Sequence, residues 1–276
     1  MAFIEFLKEM FSYSFMVRAF TVGTIIALCA SLLGVSLVLK RYSMIGNGLS
    51  SVGFGATGIA IALGLAPFTV ALPVVILAAF LLLQVNENAK IKGDSAIALI
   101  STFAMALGVM AIYLKKGMNT DICNYLFGTI LGIRQQEVNI SYVLCGVVIS
   151  LFVLFYNRIF AVTFDEDFAQ ATGSGTSIYK ALISLCTALI VVVGMQMMGA
   201  LLITSLIVFP AITAMRVFKS FKKVIIASAV ISVLCFWIGM LLSYHFNVPT
   251  GACIVFVNGI ALALFQCIRL GGRREK

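Results

Sequence analysis

The segment MVRAFTVGTIIALCASLLGVSLVL, residues 16–39, decides the fold class. Apart from Arg18 near its start it is free of charge. It is long enough to cross the hydrocarbon core of a bilayer, which takes about 20 apolar residues in a helix. A helix is the form that such a run must take in lipid, because it satisfies every backbone donor and acceptor internally. Working outward from it, comparable runs follow at residues 49–65, 67–84, 95–114, 138–156, 178–194, 197–215, 224–246 and 250–268. The chain of 276 residues is 62% hydrophobic and 11% charged, where a soluble domain of this length would carry roughly 25% charged residues. The acidic residues fall in or beside the connections and termini. The expected architecture is an all-α integral membrane protein, a polytopic bundle of about 8–9 transmembrane helices forming one domain over residues 1–276.

Between the fourth and fifth runs lies a stretch, residues 121–133, that is apolar but too short to cross, with Gly128 and Gly132 in GxxxG spacing. It reads as a re-entrant or short surface helix, or as a distorted tenth crossing. Glu5, Lys8 and Glu9 precede the first run, which exceeds signal-peptide length, so no cleavable leader is expected. Orientation follows from the 19 lysines and arginines. Threading nine spans back from a cytoplasmic C-terminus leaves only Lys8, Arg18, Lys115, Lys116 and Arg134 outside, the bias of the positive-inside rule. The net charge of +9 is thus spent on topology and gives no reason to expect nucleic acid as a partner.

Several chemistries are excluded. No GxxxxGK[ST] phosphate loop occurs, so ATP hydrolysis would have to sit on another chain. His245 is the one histidine, which leaves no local Ser-His-Asp or HExxH arrangement. No acid or base lies deep in a span, which argues against a proton-coupled carrier. The seven cysteines are scattered without CxxC spacing and read as small apolar helix residues. Met195, Met197 and Met198 with His245 would lie near the outer mouth and could suit a soft ion, but methionine also fills apolar gaps. Pro73 and Pro210 fall inside spans and would kink or locally unwind them. The longest polar stretch, residues 157–177, carries Phe164, Phe168 and Ala171 at helical spacing opposite Asp165, Glu166 and Asp167, ending at Gly173 and Gly175.

Six segments in order resemble one family, and together they span nearly the whole chain. They are LVLKRYSMIGNGLSSVGFGATGIA at 37–60, KIKGDSAIALIST at 90–102, CNYLFGTILGI at 123–133, FAVTFDEDFAQATG at 160–173, MMGALLITSLIVFPAITAMR at 197–216 and LSYHFNVPTGACIVFV at 242–257. They are similar to the membrane permease subunit of ATP-binding cassette importers for divalent metals, the zinc, manganese and iron type. The resemblance implies a pore-forming subunit that is not itself an enzyme. It also implies a cytoplasmic ATPase partner holding the ATP, an extracytoplasmic metal-binding protein, a second permease copy or paralogue, surrounding lipid of the cell membrane, and no cofactor on this chain. Zinc is the first substrate expectation and manganese the second. Phe164, Asp165, Glu166, Phe168, Ala169 and Gly173 would belong to the loop that couples to the ATPase. The family carries Asp and His after the first span, in a GDALSH-like pattern. The matching positions here are Asn47 and Ser51, which share a helix face at i and i+4 but lack the strong ligand atoms. Two rivals stay open: a permease for a metal chelate such as a siderophore or corrinoid, and a self-contained channel or carrier without an ATPase.

Overall fold

Long apolar stretches bounded by polar or glycine-containing turns become helices throughout. The computed structural model describes residues 12–88, 93–114, 135–172 and 175–271. Its elements are α1 (Ser14–Leu39), α2 (Ser43–Leu63), α3 (Pro67–Asn88), α4 (Gly93–Leu114), α5 (Gln135–Leu154), α6 (Tyr156–Phe164), α7 (Glu166–Ala171), α8 (Thr176–Met198), α9 (Ala200–Val217), α10 (Phe221–Phe246) and α11 (Thr250–Gly271). Among the described residues eight helices are long and apolar enough to cross a membrane, and α5 with α6 makes a ninth if that bent pair counts as one span. The all-α polytopic expectation therefore holds. The expected segment at 121–133, with Gly128 and Gly132, lies outside the described residues.

Burial separates the helices into an inner and an outer set. α1, α2 and α8 have 67%, 72% and 72% of their membrane window covered by protein, while α3, α4 and α11 have 28%, 22% and 22%. The outer helices present Leu77, Leu99, Phe103 and Phe256 to the surroundings, as side chains do when lipid is their solvent. α2 packs against α3, α4, α8 and α9, and α9 also packs against α1, α10 and α11.

Close backbone approach holds the inner set together, because apolar burial gives no net gain between helices already in lipid. A methyl group on Gly58 would lie 2.6 Å from the Gly108 carbonyl oxygen, and one on Gly108 would lie 2.7 Å from Gly55 Cα. α2 and α4 thus touch backbone to backbone. Between α1 and α10 side-chain hydrogen bonds bridge the helices instead, one buried and one exposed. Ser232 Oγ donates to the Ala27 carbonyl at 2.9 Å, and Trp237 Nε1 donates to Thr24 Oγ1 at 2.9 Å. Interhelical hydrogen bonds of this kind average about 0.6 kcal/mol. A Ser232→Ala protein should lose about that much, read as a small fall in thermal stability in detergent; no change would show that the bond is replaced by another.

Several helix ends differ from the sequence expectation: α8 runs on to Met198 where 194 was expected, and α9 starts at Ala200 rather than at 197. α2 starts at Ser43 rather than at 49, because Gly46, Gly48 and Ser50 are buried against neighbouring helices and need no apolar signal. The expected fifth span, 138–156, stops at Leu154, and the chain turns by 71° into α6. The helix expected around residues 164–171 is divided at Asp165, whose extended backbone ends α6 and caps α7. Neither Pro73 nor Pro210 interrupts its helix. α8 and α9 are joined by Gly199 alone, at φ 92° and ψ 154°, a conformation that side chains avoid.

Candidate functional site

The start of α2 and the middle of α9 form the walls of an open groove of about 360 Å³ that α11 completes. Ser43, Met44 and Asn47 line it from α2; Leu201, Thr204, Ser205, Val208 and Phe209 line it from α9; Val255 lines it from α11. Asn47 is exposed to this space. Ser51 is half-buried one turn further along α2 and is not part of the lining. The two family positions are therefore separated by depth: one meets the groove directly and the other does not.

The polar lining is entirely uncharged. Thr204 Oγ1 donates to the Leu201 carbonyl at 2.9 Å, which leaves its oxygen able to accept. Ser205 Oγ is buried, lines the groove and has no hydrogen-bond partner in the structure. A buried polar atom of this kind calls for a ligand or a water. Amide and hydroxyl oxygens can complete the shell of a hydrated hard cation but hold it weakly. Ser43, Thr204 and Ser205 could not be picked out from the sequence, since a lone hydroxyl in an apolar run looks like an ordinary helix residue.

The methionine and histidine candidates do not join this site. Met195, Met197 and Met198 are buried in the core, and the sulfur end of Met195 packs on Gly53. His245 is exposed in the last turn of α10 with its ring edge-on to Phe246 at 4.9 Å. Cys29, Cys145, Cys186 and Cys235 are buried free thiols. Among the described residues no group of three or more His, Cys, Asp or Glu side chains could hold a metal.

The second feature is α7 and its surroundings. Asp165 Oδ1 accepts from the Phe168 backbone N–H at 2.9 Å, an N-cap that starts the helix. Glu166 receives Lys40 Nζ at 3.3 Å and also pairs with Lys180. Partial burial pushes its carboxyl up, but the hydrogen bond from Lys180 and the charge of Lys40 outweigh burial and hold it below the usual glutamate range. These pairs place the end of α1, the whole of α7 and the start of α8 on one side of the bundle. Ala169 is buried, whereas Phe168 is 64% exposed. Phe164 turns back onto Phe160 and Phe221, with ring centroids 5.0 Å and 5.8 Å away. Gly173 lies outside the described residues.

Comparisons with known proteins follow the same lines. Residues 12–268 match the profile of the ABC 3 transport family. The manganese import system permease protein ScaB of Streptococcus gordonii is 28% identical over 256 residues, covering 93% of this chain and 92% of that protein. A protein of Haemophilus influenzae named as a probable iron transport system membrane protein is 30% identical over 266 residues, covering 94% of this chain and 97% of its own. Among solved structures, PsaBC from Streptococcus pneumoniae in complex with Fab contains a chain that matches at a TM-score of 0.85 and 27% identity, over 95% of each chain.

Proposed function

This chain belongs to the ABC 3 transport family and is the multi-pass permease of a metal importer whose ATPase is a separate subunit; from that premise we propose that its substrate is manganese, with ferrous iron second. Family membership sets aside the self-contained channel. Zinc, the first expectation from resemblance, is not the metal in the names of the relatives above. The groove favours the same choice. Zinc seeks nitrogen, sulfur or carboxylate ligands, whereas carbonyl and water oxygen suit manganese. The observation that carries the proposal is that the polar groups in an otherwise apolar groove, those of Ser43, Asn47, Thr204 and Ser205, are all neutral.

Such a lining works as a passage rather than a store. A cation that keeps most of its water meets Asn47 and the hydroxyls in turn, and leaves easily because none binds it tightly. Direction and energy come from the partners: an extracytoplasmic binding protein delivers the ion, a second permease closes the pathway, and ATP hydrolysis drives the change of access. In this reading α7 is the coupling helix, the face that carries it is cytoplasmic, and the C-terminus lies on that same side. The exposed Phe168 supports it, being presented to a partner while Ala169 faces the bundle.

The test is ATP-dependent uptake of manganese(II) into proteoliposomes holding the assembled importer, with iron(II) and zinc(II) as competitors. Manganese should accumulate, and zinc should compete less well than iron. Uptake of zinc in preference to manganese would overturn the assignment. Asn47→Asp should add a carboxylate to the groove and lower the apparent KM for manganese by about tenfold, or about 1.4 kcal/mol, while maximal uptake falls because release is slower. An unchanged KM would mean that Asn47 does not meet the ion.

A further inference from the structure

Glu166 stands where two structural arms meet. Lys40 caps α1; after it come Arg41, in the left-handed region at φ 61°, and Tyr42, and then α2 begins at Ser43. The first turns of α2 supply Ser43, Met44 and Asn47 to the groove. Lys180 lies near the start of α8, and α8 continues through Gly199 alone into α9, which supplies Thr204 and Ser205 to the opposite wall. One carboxylate on α7 therefore contacts the residue that leads into the α2 wall and the start of the helix whose far end leads into the α9 wall.

The burial pattern sets this cluster apart from an ordinary surface ion pair. The Lys40 and Lys180 side chains are 7% and 13% exposed, and that of Glu166 is 37% exposed. Lysines are rarely so buried unless paired. Fully exposed pairs are usually worth little, whereas here both ammonium groups are largely shielded from water and bond a charged acceptor, the stronger kind of hydrogen bond. Asp165, the residue before Glu166, is engaged in capping α7.

We propose that Glu166 is a positioning residue that carries displacement of α7 to both walls of the groove through Lys40 and Lys180. The proposal rests on the reading that α7 docks on the ATPase.

The experiment uses the assembled importer carrying Thr204→Cys, with maleimide labelling at position 204 followed by mass spectrometry in the absence and presence of ATP. Adding ATP should change that labelling rate in the parent. Glu166→Gln should retain the ATPase through purification and still hydrolyse ATP, while the ATP-dependent change in labelling shrinks roughly 5- to 150-fold, the usual span of coupling between sites. Glu166→Asp, which keeps the charge and disturbs folding least, should show a smaller loss. Glu166→Lys combined with Lys40→Glu and Lys180→Glu, which reverses both pairs, should restore part of the response lost in Glu166→Gln. A full response in Glu166→Gln, or a parent whose position 204 ignores ATP, would overturn the proposal with the docking reading intact. If no ATPase accompanies the parent, the docking reading itself fails and this proposal falls with it.

Discussion

A Gly58→Val protein is expected to lose about 3 kcal/mol or more of stability, at the upper end of what overpacking costs. The added side chain would start 2.6 Å from the Gly108 carbonyl oxygen and 2.8 Å from its Cα. Neither atom belongs to a side chain that can swing aside, so α4 as a whole must move away from α2. α4 has little else to hold it, with only 22% of its membrane window covered by protein. Thermal unfolding in detergent, followed by the monodisperse peak in size-exclusion chromatography, should show a large fall in the midpoint. Gly146→Val is the control: nothing lies within 4 Å of a side chain there, and its midpoint should stay within about 0.5 kcal/mol of the parent. Equal behaviour of the two variants would mean that α2 and α4 do not pack as described.

Phe168→Asp is expected to release the ATPase while leaving the bundle intact. The ring is 64% exposed on a helix whose inner face is anchored by Ala169. Exposed aromatics at the centre of an interface commonly contribute 2 kcal/mol or more, about 30-fold in affinity, and a carboxylate in place of the ring adds a desolvation cost. The measurement is pull-down of the tagged permease with quantification of the accompanying ATPase, alongside the thermal midpoint of the permease itself. Loss of the ATPase at an unchanged midpoint is the expected result. Stoichiometric ATPase at an unchanged midpoint would remove α7 from the docking surface. Phe164→Ala should differ, because that ring rests on Phe160 and Phe221 and its loss loosens α6 from α10.

The spans among the described residues were readable from the chain because lipid imposes one simple demand, length without charge. The position of α2 shows where that reading stops. Its mean hydropathy of 1.2 is the lowest of the eight candidate spans, yet it is among the most buried. Its neighbours are protein rather than lipid, so Ser43, Asn47 and Ser50 are accommodated by helices and a groove, and the apolar signal starts late. The capping of α7 was present in the sequence as an aspartate three residues before Phe168, but the regular spacing of Phe164, Phe168 and Ala171 suggested one continuous helix. The pairing of Glu166 with Lys40 had no local trace, since 126 residues separate them. The groove was half legible. Asn47 was marked by resemblance, while Thr204 and Ser205 become notable only once α9 faces α2.

The single-residue connection at Gly199 bears on how the protein is made. α8 and α9 are 23 and 18 residues long, and nothing but one glycine must pass the far face of the bilayer to place both. The pair can therefore enter the membrane from the translocon as one closed hairpin, with no hydrophilic segment to drag through. With the cytoplasmic C-terminus proposed above, Lys180 and Arg216 flank the hairpin on the cytoplasmic side, as the positive-inside rule favours, and an insertion long enough to carry an epitope between Met198 and Ala200 should turn one insertion event into two.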